Sequence, residues 1–240
     1  MSFEAMRTAA PALLAGLPLT LELAALSLVL GFGLAVLVAL ARLHRLLVLS
    51  LPAAAYIYVF RGTPLLVQIF LIYYGLGQLL WVRESAAWVV LREPFWCAIL
   101  ALTLNTGAYS AEIIRGGIQS VPWGQVEAAR ACGMSGWLLL RRIVFPIAIR
   151  QALPAYGNEI ILMVKSTSLA STITLLEVTG VARKIIVQTF LPVEIFIVAG
   201  GIYLAVNFLV TRGVRWLERR LSPYQVPRPR DELAPAADAR

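Results

Sequence analysis

"EAARACGMSGWLLLRRIVFP", residues Glu127 to Pro146, lies inside a chain of 240 residues that is 60% hydrophobic. Apolar runs long enough to cross a bilayer flank it on both sides. Within it stand Glu127, Arg130, Arg141, Arg142 and Gly133, in a context that otherwise favours helix. A segment that only joined two membrane helices would be shorter and would need no such pattern. The stretch therefore reads as a surface offered to another molecule.

Charged residues make up 14% of the chain and its mean hydropathy is +0.79, whereas soluble domains carry about 25% charged residues. Too few polar side chains remain to cover a core with a wetted surface, so the chain reads as a membrane protein. The net charge of +8 resides beside apolar runs and builds no separate basic domain. Membrane topology explains it better than nucleic acid does. Cys97 and Cys132 are expected on opposite sides of the membrane, as small fillers and not as a disulfide.

A membrane-crossing helix needs about 20 residues. Five runs meet that length: about Leu17–Ala41, Leu65–Val82, Pro94–Ile114, Gln151–Val178 (long but broken) and Leu191–Leu217. Gly31, Gly33 and Ala35 in the first suit close helix packing. The first ten residues lack a strongly basic region and the first run is too long for a cleavable signal peptide. The expected fold is an all-α membrane protein of five transmembrane helices. Residues 1–222 form one domain, and the Pro/Ala-rich 223–240 is expected to be a disordered tail.

Charge sets the orientation. With the N-terminus outside, the inside segments 42–61, 115–150 and from 212 onward hold three, five and seven Lys or Arg. Six of the 21 basic residues remain outside. This bias favours N-terminus out and C-terminus in the cytoplasm, which makes the interruption at about 116–146 a cytoplasmic loop.

Glu127-Ala128-Ala129, Gly133, Ile143 and Pro146 match the pattern EAA-x3-G-x9-I-x-L-P, with Phe145 in place of the usual Leu. The loop resembles that of the permease subunits of type I ATP-binding-cassette importers. "FRGTPLLVQIFLIYYGL" (60–76) and "LNTGAYSAEIIRGGIQSVPWGQVEAA" (104–129) resemble the polar amino-acid branch, and the M-type subunits of histidine/lysine–arginine–ornithine and opine permeases in particular. The likeness covers about residues 15–222. It implies a bacterial inner-membrane location, a second permease subunit (identical or a Q-type sister) and two ATPase subunits, which alone use ATP and Mg2+. It also implies an extracytoplasmic binding protein that delivers an amino-acid substrate. Glu127, Ala128, Ala129 and Gly133 would then form the helix that couples to the ATPase. Read from residues alone, the alanines favour a short slim helix able to enter a groove. Gly133 allows a sharp turn after it, and Glu127 offers a charge to a donor on the partner or in the loop. An amphipathic helix lying on the membrane surface fits these residues too.

The chain carries no G-x4-G-K-[S/T] phosphate loop, and no nucleophile–base pair or His/Cys metal cluster stands out. It is expected to be a transport subunit with no catalytic, metal or cofactor site of its own. A candidate path lies in the fourth run, "LPAYGNEIILMVKSTSLASTITLLE", where Asn158, Glu159 and Lys165 stand at membrane depth. A charge there costs about 2.5–3.5 kcal/mol and faces a cavity or a partner. Helical spacing puts Glu159 on one face with Tyr156, Leu162, Met163 and Ser166. Glu159 could attract the cationic group of a basic amino acid, or pair internally with Lys165 or an Arg as a strut. The hydroxyls of residues 166–174 can satisfy a broken backbone or line a wet path. Asn105, Thr106, Tyr109 and Glu112 are further candidates for the cavity. Arg61–Pro64 is expected to start the second helix at the cytoplasmic edge, with Thr63 as its cap. Acidic or neutral polar amino acids are the alternative cargo. A proton-coupled transporter using Glu112 and Glu159 is the alternative class.

Overall fold

The computed structural model describes residues 3–221, and every regular element among them is helical. The expected disordered tail, 223–240, lies outside the described residues. The order is α1 (Phe3–Ala15), α2 (Leu17–Leu43), α3 (Leu47–Gly62) and α4 (Leu65–Phe70), which runs on through a π turn and a 3-10 turn to Gln78. Short α5 (Leu80–Arg83) and α6 (Trp88–Leu91) lead to α7 (Pro94–Gln119), then α8 (Trp123–Ala131) and α9 (Gly136–Leu139). A π turn, Leu140–Val144, joins α9 to α10 (Phe145–Ser166), which a 3-10 segment extends to Ile173. The last two helices are α11 (Val178–Thr189) and α12 (Pro192–Leu221).

Among the described residues, three helices are long and apolar enough to cross a membrane: Phe3–Leu43, Pro94–Gln119 and Pro192–Leu221. Counting each bent pair as one span raises the number to at most five. The first, third and last expected runs thus reappear as helices, slightly longer than read. The fourth is broken, as expected.

The second run is a correction. Residues 42–61, counted as a cytoplasmic segment, contain all but the last residue of the 16-residue α3, and Leu47–Gly62 meets Leu65–Gln78 at a 106° bend. Phe60 O accepts from Asn105 Nδ2, near the middle of the 26-residue α7, so the bend sits beside mid-α7 and not at its end. Thr63 does not cap α4 either. Pro64 is the N-cap residue, while Thr63 Oγ1 donates to Val59 O at 2.8 Å and accepts from Gln68 Nε2 at 2.9 Å.

Small residues decide the central packing. α2 and α7 run in the same direction: Gly31 meets Thr103, Thr106 and Gly107, and Ala35 and Ala39 share a buried cluster with Ala111. A Cβ at Gly31 would overlap the Thr106 methyl, so only glycine allows this approach. Gly33 does not share the role expected of it, because nothing lies within 4 Å of where its Cβ would stand. α10 runs antiparallel to α7, with Ala148 and Ala152 at Gly117 and Glu159 at Thr106. Leu23, Ile69, Cys97, Leu102, Met163 and Ile173 fill the core where α2, α4, α7 and α10 converge. Cys97 is a buried filler as expected, whereas Cys132 is exposed.

Candidate functional site

The loop helix comes first, because its sequence is the clearest. Pro122 opens α8 in an extended conformation, and the helix ends in a turn with Gly133 at φ +79°. Met134 N–H donates to Ala129 O and Gly133 N–H to Arg130 O, at 3.0 and 2.9 Å. These are the two bonds of a Schellman stop, which needs a residue at ease in the left-handed region. Val126 and Ala129 turn inward onto Leu139, with Met134, Ile143 and Val144 around them. Ala128 and Glu127 face out. Trp123 Nε1 donates to Glu127 Oε1 at 2.7 Å, and Arg130 lies 5.3 Å from the Trp123 ring centre. Glu127 therefore has its donor within the loop. Trp123, exposed at 63%, is a large apolar feature of this surface that the motif reading passed over.

The candidate path residues divide into two groups. In the seam between α7 and α10, Glu159 is 6% exposed and its Oε1 accepts from Thr106 Oγ1 at 2.8 Å. No ion pair joins Glu159 to Lys165 among the described residues, and Lys165 is exposed, which removes that internal strut. The expected common face of α10 also splits. Glu159 and Met163 point inward and Met163 belongs to the core, while Leu162 of that face is 46% exposed; Asn158, a separate candidate, is exposed. Tyr156 meets Phe32 edge-on with ring centres 5.6 Å apart, and Ser166 is half-buried.

The second group gathers at the α3–α4 bend. Gln68 Nε2 donates to Phe60 O and Thr63 O, closing the corner, and Gln68 Oε1 accepts from Asn105 Nδ2 at 3.0 Å. Asn105 is thus a structural brace. Arg61 lies 5.2 Å from the centre of the Tyr109 ring. Below it opens a cavity of about 540 Å3 lined by Arg42, Tyr58, Arg61, Tyr109 and Glu112. Arg115 grips Glu112 from the side, with Nε to Oε1 at 3.0 Å and Nη2 to Oε2 at 2.6 Å. Arg61 is near enough to act electrostatically on both Glu112 and Glu159.

The hydroxyl run after α10 satisfies a broken backbone, as expected. Thr167, Ser168, Ser171 and Thr172 each donate to the carbonyl three residues before them, at 2.6–2.8 Å. The chain then turns at Thr174, whose φ is +73°, and Glu177 caps α11. Glu177 is fully buried and accepts from Thr179 N, Gly180 N and Tyr203 Oη, at 2.9, 2.8 and 2.6 Å. The sequence reading assigned it nothing, although an isolated carboxylate in an uncharged apolar stretch was the available signal.

Residues 27–223 match the family of binding-protein-dependent transport system inner membrane components, and the chain belongs to that family. It is 61% identical over 215 residues to the nopaline transport system permease protein NocM of Agrobacterium fabrum, covering 89% of each chain. It is 59% identical over 212 residues to the octopine transport system permease protein OccM of Rhizobium meliloti, covering 88% of this chain and 86% of that one. A crystal structure of an amino acid ABC transporter with histidines superposes with a TM-score of 0.82 at 36% identity, over 92% of this chain and 99% of that one. The protein is therefore a multi-pass inner-membrane permease subunit of an ABC importer, and the proton-coupled alternative has no support.

Proposed function

We propose that this subunit carries basic amino acids or their guanidinium-bearing conjugates, and that Glu159 meets the cationic end of the cargo. The observation that carries the reading is the Glu159 carboxylate, buried at mid-fold with a neutral threonine as its hydrogen-bond donor. In its charged form a buried carboxylate with no counter-cation bonded to it is costly, and a cationic cargo reaching it would offset that cost. Its relatives' names point the same way, since octopine and nopaline are arginine conjugates. The subunit works as five spans, N-terminus out and C-terminus in the cytoplasm, beside a second permease. Two ATPases engage the α8 surface and supply the ATP and Mg2+ chemistry, and a binding protein delivers the cargo. Closure of the ATPase pair would draw the α8 helices together and open the path outward, and hydrolysis would reset it.

Glu159→Gln keeps the volume and the contact to Thr106 but removes the charge. The loss is about 1–3 kcal/mol, the range of a charge-assisted hydrogen bond, or roughly 5- to 150-fold in affinity or rate. Uptake of arginine, ornithine and histidine should fall by that amount per inserted protein, while neutral citrulline is spared. Equal losses for all four would leave Glu159 as a structural residue only. The orientation has its own test: a reporter fused at Gly124 should read cytoplasm and one at Ala86 the outside. An external signal at Gly124 would overturn the docking of α8 on the ATPases.

A further inference from the structure

The cavity under the α3–α4 bend carries a charge that the transport reading has not used. Of its ionised groups, Glu112 is already gripped by Arg115, which also holds Gln119. Arg42 and Arg61 have no carboxylate within 4.0 Å among the described residues. Arg61 rests on the face of Tyr109, which orients the guanidinium without neutralising it. The cavity therefore holds two guanidinium groups outside any direct ion pair, facing one carboxylate, Glu112, that Arg115 already holds. Its volume of about 540 Å3 falls in the range of about 300–1,000 Å3 typical of small-molecule sites. Guanidinium groups from two helices lining one cavity suit planar, bidentate acceptors, which carboxylates are.

We propose that Arg61, with Arg42 beside it, is the carboxylate subsite of the transport path, so that the subunit reads its cargo at both ends. The cation goes to Glu159 and the carboxylates go to the basic cavity. The site thereby favours guanidinium compounds with two or more carboxylates over arginine, which has one. This rests on the Glu159 reading above but makes a separate demand. Specificity should grow with the number of carboxylates, because each additional one finds a guanidinium that no ion pair holds.

The test is equilibrium binding of three labelled guanidinium compounds to the assembled transporter in phosphatidylcholine nanodiscs, without the binding protein. They are agmatine, with no carboxylate; arginine, with one; and an N2-carboxyalkyl arginine, with two. Arg61→Gln should weaken the dicarboxylate by about ten- to hundred-fold, weaken arginine less, and leave agmatine unchanged. Arg61→Lys should recover part of the loss, and Arg42→Gln should affect the dicarboxylate most. Glu159→Gln in the same assay should weaken all three. If it does while Arg61→Gln weakens all three equally or none, the carboxylate subsite is wrong and the Glu159 reading stands. If Glu159→Gln has no effect, that reading fails regardless of Arg61. An Arg61→Gln effect that appears only when phosphatidylglycerol replaces phosphatidylcholine would make the cavity a lipid headgroup site and overturn the inference.

Discussion

Glu177→Ala should destabilise the protein more than any other single change considered. The fully buried carboxylate accepts from two first-turn N–H groups of α11, Thr179 and Gly180, and from the Tyr203 hydroxyl of α12. Tyr203 keeps a partner in Thr179 Oγ1 at 3.1 Å, so two buried N–H groups are left unpaired. Each unpaired donor costs about 1–3 kcal/mol, for a total of about 2–6 kcal/mol. Glu177→Gln retains an acceptor oxygen and should lose less. The readouts are thermal unfolding in detergent and tryptic cleavage at the exposed Arg183 and Lys184, which should accelerate as α11 comes loose. An alanine variant that melts within about 1 °C of the parent would show that this buried network contributes nothing.

Gly133→Val should leave the protein in the membrane and disconnect it from its ATPase. No atom lies within 4 Å of the added Cβ, so there is no clash to relax. The penalty lies in the backbone, because a β-branched residue at φ +79° costs about 1–3 kcal/mol. The loop has only Val126, Ala129 and Leu139 as its buried core, too small to absorb such a penalty. Copurification with the ATPase should fall by about 5- to 150-fold, the range that a loss of about 1–3 kcal/mol implies. Gly133→Asn should be mild, because asparagine tolerates the left-handed region. Equal behaviour of the Val and Asn variants would refute the turn argument.

The legible parts of this molecule were those governed by local rules. α8 and its stop could be read because a slim alanine helix ended by a left-handed glycine is a contiguous pattern. The break after α10 could be read from its run of hydroxyls. α3 could not, because Arg61–Pro64 interrupts the apolar run and a window of one span's length puts a boundary there. The chain instead bends through 106° inside the bundle, with Gln68 and Asn105 closing the corner through contacts 37 residues apart. Thr106 became the partner of Glu159 for the same kind of reason. Spacing on α10 identifies the face that carries Glu159 but not which residue 53 positions away will meet it. Glu177 is a different case: its signal was present, but a helix-capping carboxylate and a path-lining one look alike until the donors are placed.

The loop packs directly on the base of the helix that follows it. Gly136–Ile173 runs without a sharp bend, and the base of that stretch is clamped to α8 through Leu139, Ile143 and Val144. Glu159 stands fourteen residues beyond Phe145, or about 21 Å along the axis at 1.5 Å per residue. A tilt of about 10° at the base therefore sweeps the far point through roughly 3.5 Å, an estimate that follows from that helical rise alone. The contact between Thr106 and Glu159 spans 2.8 Å, so an arc of that size is enough to break it. A modest angular movement at the ATPase would then act as a clutch, freeing the carboxylate in one half of the cycle and sheltering it in the other.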